Sequence, residues 1–299
     1  MKITELIDSG EFVITTEVAP PKGFHLDNLL EKAEKYLGDV TAINVTDCQS
    51  SIMRMGPLAT CKALKDRGFN TIFQLTCRDR NRIALQGDLL SAAYFGLDNV
   101  LLLTGDHTRI GDNPQAKPVF DLDSVSLLHT ARQLELGYDL GGNRLEGQPP
   151  EYAKGAVVSP CSDSIEAQLA KMEKKVKAGA QFFQTQAVFE PEKFVKFMER
   201  AKVFGAPVLL GLIIPKSAEM AEFMNNNIAG ISVPTQIIAE LRADKERTKA
   251  GITGVEIAAR IIRQCREYCQ GVHIMALGWE SKVPDLLDAA GLGINSRRG

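Results

Sequence analysis

The feature that most constrains the fold is an alternation of eight short apolar runs with helical patterns along the whole chain. The runs are nearly continuous in apolarity, which is typical of strands buried on both faces of a parallel sheet. They occupy residues 12–18, 41–46, 71–76, 99–103, 155–159, 182–186, 207–214 and 271–277. Eight is the number of strands at which interior side chains fill a closed barrel. The alternation therefore predicts an α/β fold, a (β/α)8 TIM barrel.

The helices between the strands are indicated by apolar stripes and by residues that cap helices. Ile165 and Leu169 repeat at helical spacing, with Ser164 before them and Gly179 after the helix. Ser and Gly are common at these two ends of a helix, respectively. The stretch 216–270 between the last two strands is longer than one helix requires, so it predicts extra helices before the eighth strand.

Length and composition favour one barrel domain over residues 1–299, since such a barrel typically needs about 250 residues. A net charge of -2 gives no basic footprint, so we expect neither a nucleic-acid partner nor binding to an anionic membrane. No apolar run approaches the roughly 20 residues that cross a bilayer, and the N-terminus does not resemble a secretory signal. Six cysteines without a Cys-x-x-Cys pair are expected to be reduced thiols in a cytoplasmic protein, with no metal site.

Polar residues stand at the carboxyl ends of five of the strands, where barrels of this kind build their active sites. They are Glu17, Thr46, Gln74, Asp106 and Gln186. Any one of them alone is as well explained by a satisfied polar group in the barrel interior. Together at one barrel mouth they favour a binding site. Glu17 is the most informative, because a carboxylate in a β-branched strand has no local role in the backbone.

Several motifs, in order along the chain, resemble those of the methylenetetrahydrofolate reductase family. They are Thr-Thr-Glu-Val-Ala-Pro-Pro-Lys-Gly at 15–23, Gln-Leu-Thr-Cys at 74–77, Leu-Thr-Gly-Asp at 103–106, Thr-Gln at 185–186 and Ile-Pro at 214–215. The resemblance is to the bacterial type and covers essentially the whole chain. The ordered set is far more specific than any single motif.

The resemblance implies flavin-dependent reduction of 5,10-methylenetetrahydrofolate to 5-methyltetrahydrofolate in one-carbon metabolism. In that reaction Glu17 is the general acid for the departing N10 of the folate. Asp106 stabilises the cation that forms and binds the pterin, and Gln186 contacts the pterin edge. Trp279 stands in Leu-Gly-Trp-Glu, where the family often has Leu-Asn-Arg, and is expected either to stack on the folate or to cover the barrel rim.

The resemblance also implies a set of flavin contacts around the barrel mouth. These are Thr46, Gln74, Thr104, Gly105, Asp106, Phe120, Ala156, Gln168 and Lys175. Two of them depart from the family pattern, since many members carry a histidine where Gln74 stands and an arginine where Thr104 stands. FAD remains the expected cofactor that the resemblance implies, and these two departures make FMN the alternative.

The partners that the resemblance implies are methylenetetrahydrofolate and an electron donor. The donor is either NAD(P)H or an iron–sulfur partner subunit, as in the multi-subunit complexes of acetogens, so an oligomer or a hetero-complex is expected. Two alternatives remain at this stage. One is a non-catalytic folate-binding or scaffold subunit of a one-carbon complex, and the other is a flavin-free barrel lyase that uses a Schiff-base lysine.

Overall fold

The computed structural model describes residues 1–228 and 230–293, so residue 229 and residues 294–299 of the predicted domain lie outside it. Within this part of the chain, eight parallel strands pair in sequence order and close into a barrel through β1 and β8. The strands are β1 (Val13–Val18), β2 (Ala42–Val45), β3 (Thr71–Thr76), β4 (Asn99–Leu103), β5 (Ala153–Val158), β6 (Phe182–Thr185), β7 (Val208–Ile213) and β8 (Gly271–Met275). The predicted (β/α)8 barrel is confirmed.

Twelve α-helices accompany the strands in the described residues. They are α1 (Ile3–Asp8), α2 (Asp27–Tyr36), α3 (Pro57–Asp66), α4 (Arg82–Tyr94), α5 (Ser124–Glu135), α6 (Ile165–Ala178), α7 (Pro191–Ala201), α8 (Ala218–Asn227), α9 (Thr235–Ala243), α10 (Lys245–Lys249), α11 (Ile252–Cys265) and α12 (Val283–Ala289). Four of them, α8 to α11, lie between β7 and β8, which confirms the extra helices. None of the helices in residues 1–228 and 230–293 has the length and apolarity needed to cross a membrane.

Helix α6 shows how the local sequence sets the ends of these elements. The Ser164 hydroxyl accepts a hydrogen bond from the Ala167 amide at 3.3 Å, which satisfies a backbone donor in the first turn. Gly179 ends the helix with φ 116°, a conformation that an L side chain would strain. Between these ends Leu169 and Met172 are buried against the barrel. The predicted caps of this helix are confirmed.

The barrel separates two apolar clusters, one between the strands and the helices and one inside the barrel. The inner cluster consists of fully or almost fully buried residues that fill the amino-terminal half of the interior: Ile3, Val13, Ala42, Ile72, Leu101, Ala153, Phe182 and Leu209. Ile3 comes from α1, so the first helix contributes to this floor. Polar side chains lie above it, towards the carboxyl ends of the strands.

The six cysteines are free, and all except Cys48 are buried. Cys77 and Cys161, which follow strands β3 and β5, belong to the outer apolar cluster. Burial raises the pKa of the Cys77 thiol to about 12 and that of Cys161 to about 11. These two side chains are therefore neutral thiols packed in the core.

The absence of a side chain at one glycine leaves room for the large Phe182 ring in the barrel. Gly155 on β5 stands directly beside Phe182 on β6. A Cβ at Gly155 would lie 2.7 Å from Cε2 of that ring and 2.9 Å from Cδ1 of Leu101. Real Cβ atoms do not approach other carbons this closely, so any side chain at this position would displace its neighbours.

We expect Gly155→Ala to lower the free energy of unfolding by about 1–3 kcal/mol, because it overpacks the floor of the barrel. Gly87 is the matched control, since it lies exposed in α4 and a Cβ added there would meet nothing within 4 Å. Gly87→Ala should leave stability unchanged or raise it by up to about 1 kcal/mol through helix propensity. Urea unfolding of both variants measures the difference. If the parent and Gly155→Ala unfolded at the same urea concentration, the side chains of the floor would have adjusted to the added methyl group without loss of stability.

Candidate active site

A cavity of about 410 Å³ opens at the carboxyl ends of the strands. Side chains from every strand except β2 and β7, together with α6 and the loops after β2, β3 and β4, form its wall. Its polar and charged lining residues are Glu17, Asp47, Gln49, Gln74, Thr76, Arg78, Thr104, Asp106, Ser124, Ser159, Gln168, Lys171, Lys175, Gln184, Thr185, Gln186 and His273. This is the face on which barrels of this type place their catalytic groups.

The structure brings most of the predicted site residues to this one cavity. Both carboxylates, Glu17 and Asp106, line it. The other predicted residues on its wall are Gln74, Thr104, Gly105, Gln168, Lys175 and Gln186. Two carboxyl groups and several amide groups therefore share one space at the barrel mouth.

Four predicted residues lie outside this wall. Ala156 packs in the outer apolar cluster, so it offers the cavity no side chain. Phe120 lies on the loop before α5, with its ring centroid 6.2 Å from that of His107. Trp279 follows β8 and packs against the outer apolar cluster, with the Lys216 ammonium 5.2 Å from its ring centroid. The fourth, Thr46, is buried at the end of β2.

Glu17 has a polar neighbour near each oxygen of its carboxyl group and is only 7% exposed. Gln49 donates from Nε2 to Oε1 of Glu17 at 3.3 Å, and Nε2 of His273 lies 3.7 Å from Oε2. Gln49 belongs to a loop in which Cys48 and Ser50 have positive φ angles of 46° and 55°. Such angles are costly for residues other than glycine, so tertiary contacts must hold this loop in place.

The turn after β4 presents Asp106 at the mouth. Gly105 has φ 89°, and a Cβ there would lie 3.0 Å from Cβ of Thr76 and 3.2 Å from Cβ of Arg78. The Thr104 hydroxyl accepts from the Ser124 amide at 3.0 Å and so links this turn to the start of α5. The glycine thus allows a tight turn over β3, which leaves the Asp106 side chain exposed.

Sequence reasoning did not assign the charged cluster behind this turn. Asp47 is buried and accepts from the Thr76 amide at 2.9 Å, from the Thr76 hydroxyl at 2.8 Å and from Arg80 at 2.7 Å. Arg78 is only 2% exposed and pairs with Asp79 at 2.6 Å. The sequence shows that Asp47 closes the second strand, but a run of charged residues after a strand is usually a solvated loop, and only the structure shows that Arg78 also forms part of the cavity wall.

Two lysines of α6 give one side of the cavity positive charge. Lys171 and Lys175 both line it, one helical turn apart. Lys175 donates from Nζ to the Val157 carbonyl at 2.6 Å. Burial, and next the nearby Lys171 charge, lower the pKa of Lys175 to about 8. An anionic ligand would relieve the cost of this charge, so the wall suits a phosphate or carboxylate group.

We expect Lys175→Met to stabilise the ligand-free protein by about 1–3 kcal/mol at neutral pH, since each pKa unit corresponds to about 1.4 kcal/mol. Between pH 8 and 10.5 the unfolded chain binds more protons at Lys175 than the folded chain does. The free energy of unfolding should therefore rise with pH across this window in the parent and less in the variant. Urea unfolding at both ends of the window measures this.

Lys174→Met is the matched control, because Lys174 is exposed on the same helix. It should keep the parent's pH dependence. If Lys175→Met kept it as well, the ammonium would not be buried in solution at the cost that its low pKa implies.

Comparison with known proteins decides the family. The profile of the family described as methylenetetrahydrofolate reductase matches residues 2–291. The chain belongs to this family. Similar proteins include methylenetetrahydrofolate reductase 2 of Schizosaccharomyces pombe, which is 25% identical over 98% of this chain and 48% of its own length. The 5,10-methylenetetrahydrofolate reductase of Pectobacterium carotovorum is 24% identical over 90% of this chain and 86% of its own length.

The probable methylenetetrahydrofolate reductase (NADPH) of Caenorhabditis elegans is 24% identical over 97% of this chain and 44% of its own length. The chain thus spans about half the length of these eukaryotic members of the family. Among solved structures, an uncharacterized protein from Clostridium thermocellum that binds two copies of 5-methyl-5,6,7,8-tetrahydrofolic acid superposes with a TM-score of 0.66 at 16% identity, covering 96% of this chain and 97% of the other. At that identity the similarity shows the shared fold.

Proposed function

We propose that this chain is a methylenetetrahydrofolate reductase that converts 5,10-methylenetetrahydrofolate to 5-methyltetrahydrofolate. The observation that carries the proposal is that Glu17 and Asp106 line one cavity at the active face of a barrel of this family. The similar proteins from fungus, nematode and bacterium bear this activity in their names. A folate ligand is known for the Clostridium thermocellum protein of the same fold.

The residues of the mouth fit a flavin. Thr46 follows β2 and does not line the cavity, but its buried Oγ1 has no hydrogen-bond partner among the described residues, as expected of a group that a ligand completes. Gly105 lets the backbone approach a flat ring closely, and Lys171 and Lys175 can bind its phosphates. We take FAD as the cofactor and FMN as the alternative. When bound, the flavin supplies the hydride for the reaction.

The chain itself provides proton delivery and charge stabilisation. Glu17 delivers a proton to N10 of the folate when the five-membered ring opens, as a general acid. The Asp106 carboxylate stabilises the iminium cation at N5 and orients the pterin, and Gln186 hydrogen bonds to the pterin edge. Trp279, in the loop after β8, covers the rest of the folate. These roles rest on the family resemblance and, for Glu17, Asp106 and Gln186, also on the place of each side chain in the cavity.

The electron donor that we propose is NAD(P)H or an iron–sulfur partner subunit. To distinguish these donors, NADH, NADPH and a reduced ferredoxin are added separately to the purified protein. Reduction is followed by the flavin absorption of the protein. Bleaching by either pyridine nucleotide would show that the chain accepts hydride without a partner. Bleaching by ferredoxin alone would favour the hetero-complex.

A flavin-free lyase is the second candidate, because Lys175 combines a cavity position with a lowered pKa, as Schiff-base lysines do. Flavin absorption bands in the purified protein would exclude it. Borohydride trapping of a carbonyl substrate on Lys175 would support it. A non-catalytic folate-binding subunit would behave differently. It would bind methyltetrahydrofolate, but under anaerobic conditions this folate would not bleach the absorption of a bound flavin.

We expect Thr46→Val to weaken flavin binding by about fivefold, because the flavin loses a hydrogen bond worth about 1 kcal/mol. The ligand-free protein should not lose stability, since an unpaired buried hydroxyl itself costs about 1–3 kcal/mol. Thr16→Val is the contrasting variant, because its hydroxyl donates to the Ile274 carbonyl at 2.9 Å. Flavin titration and urea unfolding should give opposite results for the two. Unchanged flavin affinity in Thr46→Val would remove Thr46 from the flavin site.

We expect Glu17→Gln to bind flavin normally but to slow reoxidation of the reduced flavin by methylenetetrahydrofolate by about 10²–10⁴-fold, the range typical of a lost general acid. Anaerobic stopped-flow absorbance measures this rate. Glu11→Gln is the control, because Glu11 is exposed just before the same strand. A Glu17→Gln variant with the parent's reoxidation rate would show that the proton comes from another group.

A further inference from the structure

The polar interior of the barrel forms one connected chain of side chains that ends at Glu17. Asn44 and Gln184 pair through their amides, at 2.9 Å and 3.2 Å. Gln184 also donates to the Thr15 hydroxyl at 3.4 Å, and this hydroxyl lies 2.9 Å from Nδ1 of His273. The other ring nitrogen of His273 faces Glu17. The catalytic carboxyl therefore rests on a buried support and not only on the loop above it.

The register of the closing strand pair places His273 beneath Glu17. Thr15 of β1 stands directly opposite His273 of β8, and Glu17 follows two residues later on the same face of β1. His273 is only 4% exposed. A buried imidazole held at Nδ1 has one ring nitrogen left, and here that nitrogen points at a carboxyl oxygen.

The surroundings of the ring allow it to serve Glu17 in both of its protonation states. The Thr15 hydroxyl can donate to the Val272 carbonyl, 3.3 Å away, and accept from Nδ1, or it can turn and donate to Nδ1. In the first arrangement Nε2 is an acceptor for a protonated Glu17, and in the second it is a donor to the carboxylate. The 3.7 Å separation is longer than a hydrogen bond, a common feature of catalytic pairs without their substrate.

We propose that His273 is a positioning residue for the reaction, which holds the Glu17 carboxyl in the orientation that delivers its proton, with Thr15 fixing the ring. This inference rests on the proposed role of Glu17 as the acid. His273 itself touches neither the folate nor the flavin in this assignment. Its contribution passes through Glu17, and this can be measured.

The test is a double-mutant cycle on single-turnover reoxidation of the reduced flavin by methylenetetrahydrofolate. We expect His273→Leu to slow this step by about tenfold or more, with little change in the folate concentration that gives half the maximal rate. His273→Gln, which keeps a hydrogen-bonding group at similar reach, should recover part of the loss. Thr15→Val should slow the step less than His273→Leu. In Glu17→Gln, the further change His273→Leu should have no effect.

Two measurements keep folding and flavin binding separate from positioning. Flavin content and urea unfolding midpoints are determined for each variant, and His129→Gln serves as the control because His129 is exposed on α5. In the ligand-free parent, the ring nitrogen NMR signals of His273 should shift on Glu17→Gln and on Thr15→Val, while those of His129 stay in place. This second readout needs no turnover.

The outcomes separate this inference from the proposed function. A parent protein that binds no flavin, or whose reduced flavin is not reoxidised by the folate, overturns the proposed function. A parent that turns over while His273→Leu keeps its rate overturns the positioning role alone. Losses that multiply in the double variant overturn it as well, since they would mean that His273 acts independently of Glu17.

Discussion

A carboxylic acid buried inside a protein must be held by partners, and the interior of this barrel meets that requirement for Glu17. Below the acid, Thr15 and His273 connect it to the paired amides of Asn44 and Gln184. Beneath those groups lies an apolar floor, and the buried Asn99 side chain at its lower edge accepts a hydrogen bond from the Ile3 amide at 2.8 Å. Polar groups in a low dielectric are costly unless satisfied, so this connected arrangement explains how a barrel core can contain so much polarity.

The same constraint shapes the wall. Asp47 satisfies both Thr76 and Arg80, and the turn at Gly105 packs against the side chains of Thr76 and Arg78. The result is a rigid frame around an open space rather than a set of free loops. The Thr46 hydroxyl, which has no hydrogen-bond partner among the described residues, and the Lys175 ammonium, whose pKa burial lowers, are the groups that we propose for ligand binding.

The fold could be predicted from the sequence because its signals are local. Apolar runs mark strands, Ser164 and Gly179 mark helix ends, and each observed strand overlaps its predicted range. Site residues at strand ends could be found for the same reason. What could not be predicted depends on register and on loop paths. Nothing in the sequence shows that His273 stands opposite Thr15, that Gln49 returns over Glu17, or that Ala156 faces the helices.

The floor built from Ile3, Phe182 and their neighbours also affects how ligands reach the cavity. Because the amino-terminal end of the barrel is filled, the mouth is the route by which molecules reach Glu17. An electron donor and a folate that both need the same face of a bound ring would then have to visit in succession. Apolar side chains at the closed end of the barrel would in this way influence the order in which ligands bind at its open end.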